Sequence, residues 1–227
     1  PDDIEFTPSD ATEMLIAIWT KVRPDQMGAT DSIETLVEGV SSRRNQLLLD
    51  LGVEFGLGAI DGAADAELAA LKQTVTKMAK GYKAFGPVLG DSAADALRRI
   101  TGPTGKKPNY IAERVTGTWQ LGQGWADHVV AEVVIGAREG ASLRGGDLAT
   151  LSPASPSNAG DLDALIDAAV NQMRDAGMLQ TYQQLTFALE GTQYRLAVHA
   201  GLDAFEGHVL AEIRLRARGQ PDAAHTA

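Results

Sequence analysis

Apolar positions along this chain recur at helical rather than strand spacing. Ala11, Met14, Leu15, Ile18, Trp19 and Val22 form one stripe at intervals of three and four, behind Pro8-Ser9 as a start signal. Leu47, Leu48, Leu51 and Phe55 form a second, which Gly56 or Gly58 can close. Leu68, Leu71, Val75, Met78 and Tyr82 form a third, and Ala93, Leu97 and Ile100 a short fourth that Gly102-Pro103 ends. Ile111, Val115 and Trp119 mark a fifth helix. A sixth, behind Asp161, carries Leu162, Leu165, Ile166, Ala169, Val170 and Met173 inward. Segments 180–190 and 202–218 also read as helical. The run from Val129 to Ile135 is β-branched enough for a strand, but its valines four apart favour a buried helix. Segment 151–160 consists of turn formers and reads as a linker. No internal repeat is visible. The pattern predicts an all-α protein.

Composition narrows the function. With 227 residues and 44% hydrophobic content, the chain can bury a real core in one domain or two small ones. Net charge is −10, and residues 1–40 hold nine acidic side chains against Lys21 and Arg23. That balance speaks against nucleic-acid binding and for basic partners or plain solubility. There are no cysteines, which removes disulfides, thiolate metal sites and a cysteine nucleophile and leaves a reducing cytoplasm open. No apolar run reaches membrane-spanning length and no signal sequence is seen, so no membrane partner is expected. A chain that begins with Pro1 reads as a piece of a longer polypeptide.

Most candidate chemistry fails on spacing. Gly39-Val40-Ser41 starts like a nucleophile elbow, but Arg43 stands where the second glycine belongs and no strand precedes it. His128, His199, His208 and His225 have no triad or zinc signature around them, and His208 with Glu212 is one half of a pair. Gly102-Pro103-Thr104-Gly105-Lys106-Lys107 lacks the first glycine and the final Ser/Thr of a phosphate loop, so it reads as a basic turn. Trp119 and Trp125 read as core residues. Ser41-Ser42-Arg43-Arg44 is different. One serine suits a helix N-cap, yet two arginines in a first helical turn oppose the macrodipole. A phosphate attached or bound there reverses the sign, because free N–H groups and guanidinium forks both suit phosphate.

The stretch Gly28-Ala29-Thr30-Asp31-Ser32-Ile33-Glu34-Thr35-Leu36-Val37-Glu38-Gly39-Val40-Ser41-Ser42-Arg43-Arg44-Asn45-Gln46, continuing to Gly56, resembles the acyl carrier domain of fungal and actinobacterial type I fatty acid synthases. In that family a serine at the start of the second carrier helix holds the phosphopantetheine, and the matching residue is Ser41, with Ser42 in the Ser/Thr slot after it. A second block, from Lys106 to Arg114 and from Trp119 to His128, is similar to the helical lobe those synthases append to the carrier. The actinobacterial branch is the closer match, through Ser41–Gln46 and Gly58–Asp65. The likeness covers roughly residues 8–175. Arg43 and Arg44 depart from ordinary carriers, whose recognition helix starts acidic.

The resemblance implies a four-helix carrier core over 1–85, a structural helical lobe over 86–150, the linker 151–160 and C-terminal helices over 161–227. It implies a module that catalyses nothing itself. Ser41 would carry a covalent 4'-phosphopantetheine from coenzyme A, set there by a phosphopantetheinyl transferase, with Ser42, Arg43 and Arg44 around it. Its partners would be the ketosynthase, ketoreductase, dehydratase, enoyl reductase and acyltransferases of one cytoplasmic synthase. The rival reading is a structural helical domain that holds a multienzyme together, with Ser41 only a cap. Trp119, Trp125 and the valine run are expected to bury against one another and against the helix at 64–82.

Overall fold

The computed structural model describes the backbone of residues 2–188 and the side chains of residues 2–176. Residues 1–169 form one compact unit, and a second starts at Val170, of which the helix continuing to Ala188 is described. The predicted helix at 202–218 lies outside the described residues. Among the described residues the chain is all-α, and the single β-bridge pairs Ala141 with Asp147.

The first helix, α1 (Pro8–Thr20), starts at the proline that marks it in the sequence, and its cap lies one residue earlier. Thr7 is the N-cap: its hydroxyl accepts from Asp10 N at 3.3 Å, and Asp10 answers by accepting from Thr7 N at 2.7 Å. Ile16 and Ala17 are buried beside Ala11, Met14 and Leu15, whereas Ile18 and Trp19 are partly exposed. A helix buried on so much of its circumference sits between neighbours. It packs against α3 (Ser41–Glu54), α4 (Leu68–Met78) and α7 (Gln123–Gly136). Between α1 and α3 lies one helical turn, α2 (Ile33–Leu36), capped by the Ser32 hydroxyl.

The later elements are α5 (Pro87–Thr101), α6 (Tyr110–Gly117) and α8 (Ala159–Ala188). The valine run is helical and lies in α7, with Val129, Val133 and Val134 buried. Its main partners are α6, α5 and α1. The expected partner, the helix at 64–82, instead meets α1 from elsewhere on that helix's apolar circumference. Trp125 is buried, but Trp119 is only half-buried and gives its ring N–H to Asp167 at 2.8 Å. The same carboxylate takes a two-pronged contact from Arg114, at 2.9 and 2.8 Å, which ties α6 to the first turns of α8 and holds the Asp167 acid below the usual carboxylate range.

The stretch read as a linker is anchored at its head. Leu151 is buried, and its N–H donates to the Gly136 carbonyl at 3.1 Å. A side chain at Gly136 would meet Leu151 Cγ at 2.8 Å, so the glycine makes the space that the leucine fills. The tail of the stretch already belongs to α8.

Residues 2–6 form a strap across the N-terminus of α7. Asp3 accepts from Gly124 N and Trp125 N at 3.3 and 3.2 Å, and the Trp125 ring N–H donates to the Asp2 carbonyl at 2.9 Å. A Cβ on Gly124 would stand 1.5 Å from the Ile4 carbonyl oxygen. Gly124→Ala is therefore expected to expel the strap and to destabilise the unit by about 1–3 kcal/mol. A red-shifted Trp125 emission and faster proteolysis before residue 8 would register this.

Candidate functional site

The chain reaches Ser41 through a turn that forces its exposure. Val37 ends α2, Glu38 and Gly39 follow with φ of 52° and 72°, and Val40 N donates to the Val37 carbonyl at 3.0 Å. Glycine takes the left-handed conformation without penalty, so Gly39 is the residue that makes this turn cheap. Glu38 holds the same region at a cost of about 1 kcal/mol. The reversal leaves Val40, Ser41 and Ser42 exposed at the head of α3.

Neither serine caps the helix. The N-cap position is Val40, whose apolar side chain cannot accept a hydrogen bond, and Ser41 is the first helical residue. Among the described residues neither hydroxyl makes a hydrogen bond. No acidic side chain lies in the first turn of α3. The orphan N–H groups of that turn thus face solvent beside two free hydroxyls, a setting that suits an anion.

The arginines divide. Arg44 turns back to α2 and pairs with Glu34 at 3.0 Å, half-exposed, a contact worth less than about 1 kcal/mol. Arg43 has no ion pair among the described residues, but it stands about 200° around α3 from Ser41. The first-turn N–H groups are therefore the nearer donors to a group on Ser41, and Arg44 must leave Glu34 to join them.

Ser41 shares its face of α3 with an apolar cleft. Asn45, Leu48 and Gly52 follow it at spacings of four, seven and eleven, which keeps them in line on a helix. These residues, with Leu49, Val53 and the turn 57–60, line a cleft of about 430 Å³. Leu49 and Val53 are 60% and 47% exposed, which is unusual for a helix that also buries Leu47 and Leu51 on its other side. Leu48, read from the sequence as part of the stripe with Leu47 and Leu51, faces this cleft instead, and Leu49 and Val53, which lie off that stripe, are the signal of the second apolar face.

The loop before α2 is held by a residue far along the chain. Arg144 donates to both Asp31 oxygens, at 2.6 and 2.8 Å, and to the Gln26 carbonyl at 2.8 Å. That guanidinium lowers the Asp31 carboxyl to about 2. A lowered acid contributes stability above its unfolded pKa and loses it as pH falls toward the folded value. The fold is therefore expected to lose about 1 kcal/mol between pH 4 and pH 2 through this half-exposed pair. Acid titration of melting temperature checks this, and Asp31→Asn should remove that share of the slope.

Other sequence candidates resolve into packing. His128 lies edge-on to Phe6 at 5.1 Å, with Nε2 3.1 Å from the Glu5 carbonyl oxygen. The Gly102–Lys107 stretch is a turn between α5 and α6, with Lys106 4.6 Å above the Tyr110 ring. His199, His208, Glu212 and His225 lie outside the described residues. Among the described residues no group of three or more His, Asp or Glu is placed to hold a metal ion. No helix among them is long and apolar enough to cross a membrane. The chain matches no protein-family model and no curated protein.

Proposed function

We propose that this chain is an acyl carrier module of a type I fatty acid synthase, with Ser41 as the attachment point of a 4'-phosphopantetheine arm. The observation that carries the reading is the exposed, unbonded Ser41 hydroxyl at the uncapped head of α3. A serine kept only for capping would bond to the first turn, and this one does not. In the loading step the Ser41 oxygen takes the phosphopantetheinyl group from coenzyme A and releases the adenosine bisphosphate, with the hydroxyl proton passing to a base of the transferase. The first-turn N–H groups suit the resulting phosphodiester.

Once loaded, the arm holds an acyl group as a thioester. The module then works by raising the local concentration of that group at each catalytic domain, which turns bimolecular steps into tethered ones. Its partners on this reading are the ketosynthase, ketoreductase, dehydratase, enoyl reductase and acyltransferases of the synthase. Ser42 lies beside the phosphodiester; Arg44 reaches it on leaving Glu34, and Arg43, on the far side of α3, is left for a partner's phosphate.

The test is the intact mass of the protein after incubation with coenzyme A and a phosphopantetheinyl transferase. A single gain of one phosphopantetheinyl group is expected. An unchanged mass in a folded protein returns the chain to the rival reading, a structural helical domain of a multienzyme.

A further inference from the structure

We propose that Arg144 is a positioning residue for Ser41, acting through Asp31 and α2 from a loop more than one hundred residues downstream. The proposal rests on the carrier reading for its activity arm alone.

The contacts form a continuous chain. Residues 140–148 make a compact loop, closed by the Ala141–Asp147 bridge and by Ser142 N donating to the Gly146 carbonyl at 2.8 Å. The loop grips residues 23–31 at several points. Arg23 donates to the Asp147 carbonyl at 2.8 Å, Gln26 donates to the Gly145 carbonyl at 2.9 Å, and the Ser142 hydroxyl meets Gln26 Oε1. Arg144 adds the charged fork to Asp31 and the bond to the Gln26 carbonyl.

Asp31 is where these contacts become geometry at the site. Its carboxylate also accepts from Gly28 N at 2.7 Å, and its carbonyl accepts from Leu68 N at 2.7 Å. The next residue, Ser32, is the N-cap of α2, with Thr35 N bonded to its hydroxyl at 3.2 Å. One helical turn later the chain enters the Glu38-Gly39 reversal that exposes Ser41. Arg44 on α3 closes the circuit on Glu34 of α2. The start of α2, and with it the angle at which Ser41 is presented, is thus set by a bidentate contact from the 140–148 loop. A planar fork fixes orientation as well as distance, which a single ammonium does not.

The alternative is that Arg144 only adds stability, as any loop contact can. Loading kinetics and amide shifts separate the two. In Arg144→Ala the rate of arm transfer to Ser41 is expected to fall roughly tenfold or more, chiefly in kcat, because a small misplacement of a reacting group is enough for such a loss. Arg144→Lys should recover only part of it. Adding Asp31→Asn to Arg144→Ala should cost nothing further, since both remove the same link. In nitrogen-15 spectra the amides of Gly39, Val40 and Ser41 should shift in both single variants, while those of Leu162 and Ile166 stay in place. A folded Arg144→Ala protein with wild-type loading kinetics and unmoved Gly39–Ser41 amides would overturn the proposal. If the wild-type chain accepts no arm, the carrier reading fails, and the amide shifts alone decide whether Arg144 is coupled to Ser41.

Discussion

Glu54→Ala is expected to lower the stability of the 1–169 unit by about 3 kcal/mol or more, the largest effect of any single truncation outside the hydrocarbon core. Glu54 is 3% exposed at the end of α3 and carries four hydrogen bonds. It accepts from the Tyr82 hydroxyl at 2.6 Å and from the backbone N–H groups of Gly86, Val88 and Leu89 at 2.7, 2.9 and 2.8 Å. The three N–H groups open α5, whose N-cap, Gly86, has no side chain to cap them. A carboxylate from another helix does so instead, with its charge at the positive end of the α5 dipole. Truncation leaves these donors unpaired where water has little access, and each such loss is worth about 1–3 kcal/mol. Glu54→Gln keeps an acceptor and should lose less. Burial and the Glu54 charge raise the Tyr82 hydroxyl above its ordinary pKa, so its share of stability is complete below about pH 10 and lost as pH rises beyond. Denaturant melts of the three proteins settle the order. Equal midpoints for wild type and Glu54→Ala would mean that α5 does not need this cap.

Glu54 also shows where sequence reading ran out. Helix existence was legible because apolar residues at intervals of three and four have one economical solution: the stripes at 11–22, 47–55 and 162–173 mark α1, α3 and α8, although Val22 and Phe55 fall just past the ends of their helices. Partners were less legible. The valine run was expected against the helix at 64–82, yet its main neighbours are α1, α5 and α6, because periodicity fixes which face is buried and not what covers it. The predicted helix at 161–175 and the described part of that at 180–190, to Ala188, join in one, α8, because no proline or glycine pair interrupts Asp175 to Gln180. Polar interactions over long sequence distances were invisible. Glu54 falls on the buried stripe with Leu47 and Leu51, and an acid in that phase signals a buried acceptor, but nothing local says that residues 86–89 supply the donors. Asp31 and Arg144 carry no such hint, since each sits in a loop where charge is expected. The candidate serines were legible as a pattern, although their lack of a capping role was not: the helix starts one residue earlier than a serine cap requires.

The strongest functional expectation concerns the two adjacent hydroxyls. On the proposed carrier reading, Ser41→Ala is expected to abolish attachment of the phosphopantetheine arm, whereas Ser42→Ala should still accept it. Both serines are exposed and neither is bonded, so exposure alone does not choose between them. On the proposed carrier reading the choice rests on Ser41 standing at the serine position of the family that the sequence resembles. Ser41 is the first helical residue, directly after the left-handed turn, and it lies in line with Asn45, Leu48 and Gly52 along the apolar cleft. Ser42 is about 100° further around α3, in line with Leu49 and Val53 of the same cleft, so the cleft alone does not separate the two. An arm on Ser41 would start one helical turn before a cleft lined by Leu48, Leu49 and Val53, and an acyl chain on it would leave water along that face. Neither substitution removes a hydrogen bond or a buried group, so both variants should melt within about 0.5 kcal/mol of wild type. That near-equality separates a lost attachment point from a lost fold. Intact mass after transferase treatment, followed by peptide mapping of the modified form, reads the result. An arm found on Ser42, or a Ser41→Ala protein that still gains the full mass, would move the site by one residue.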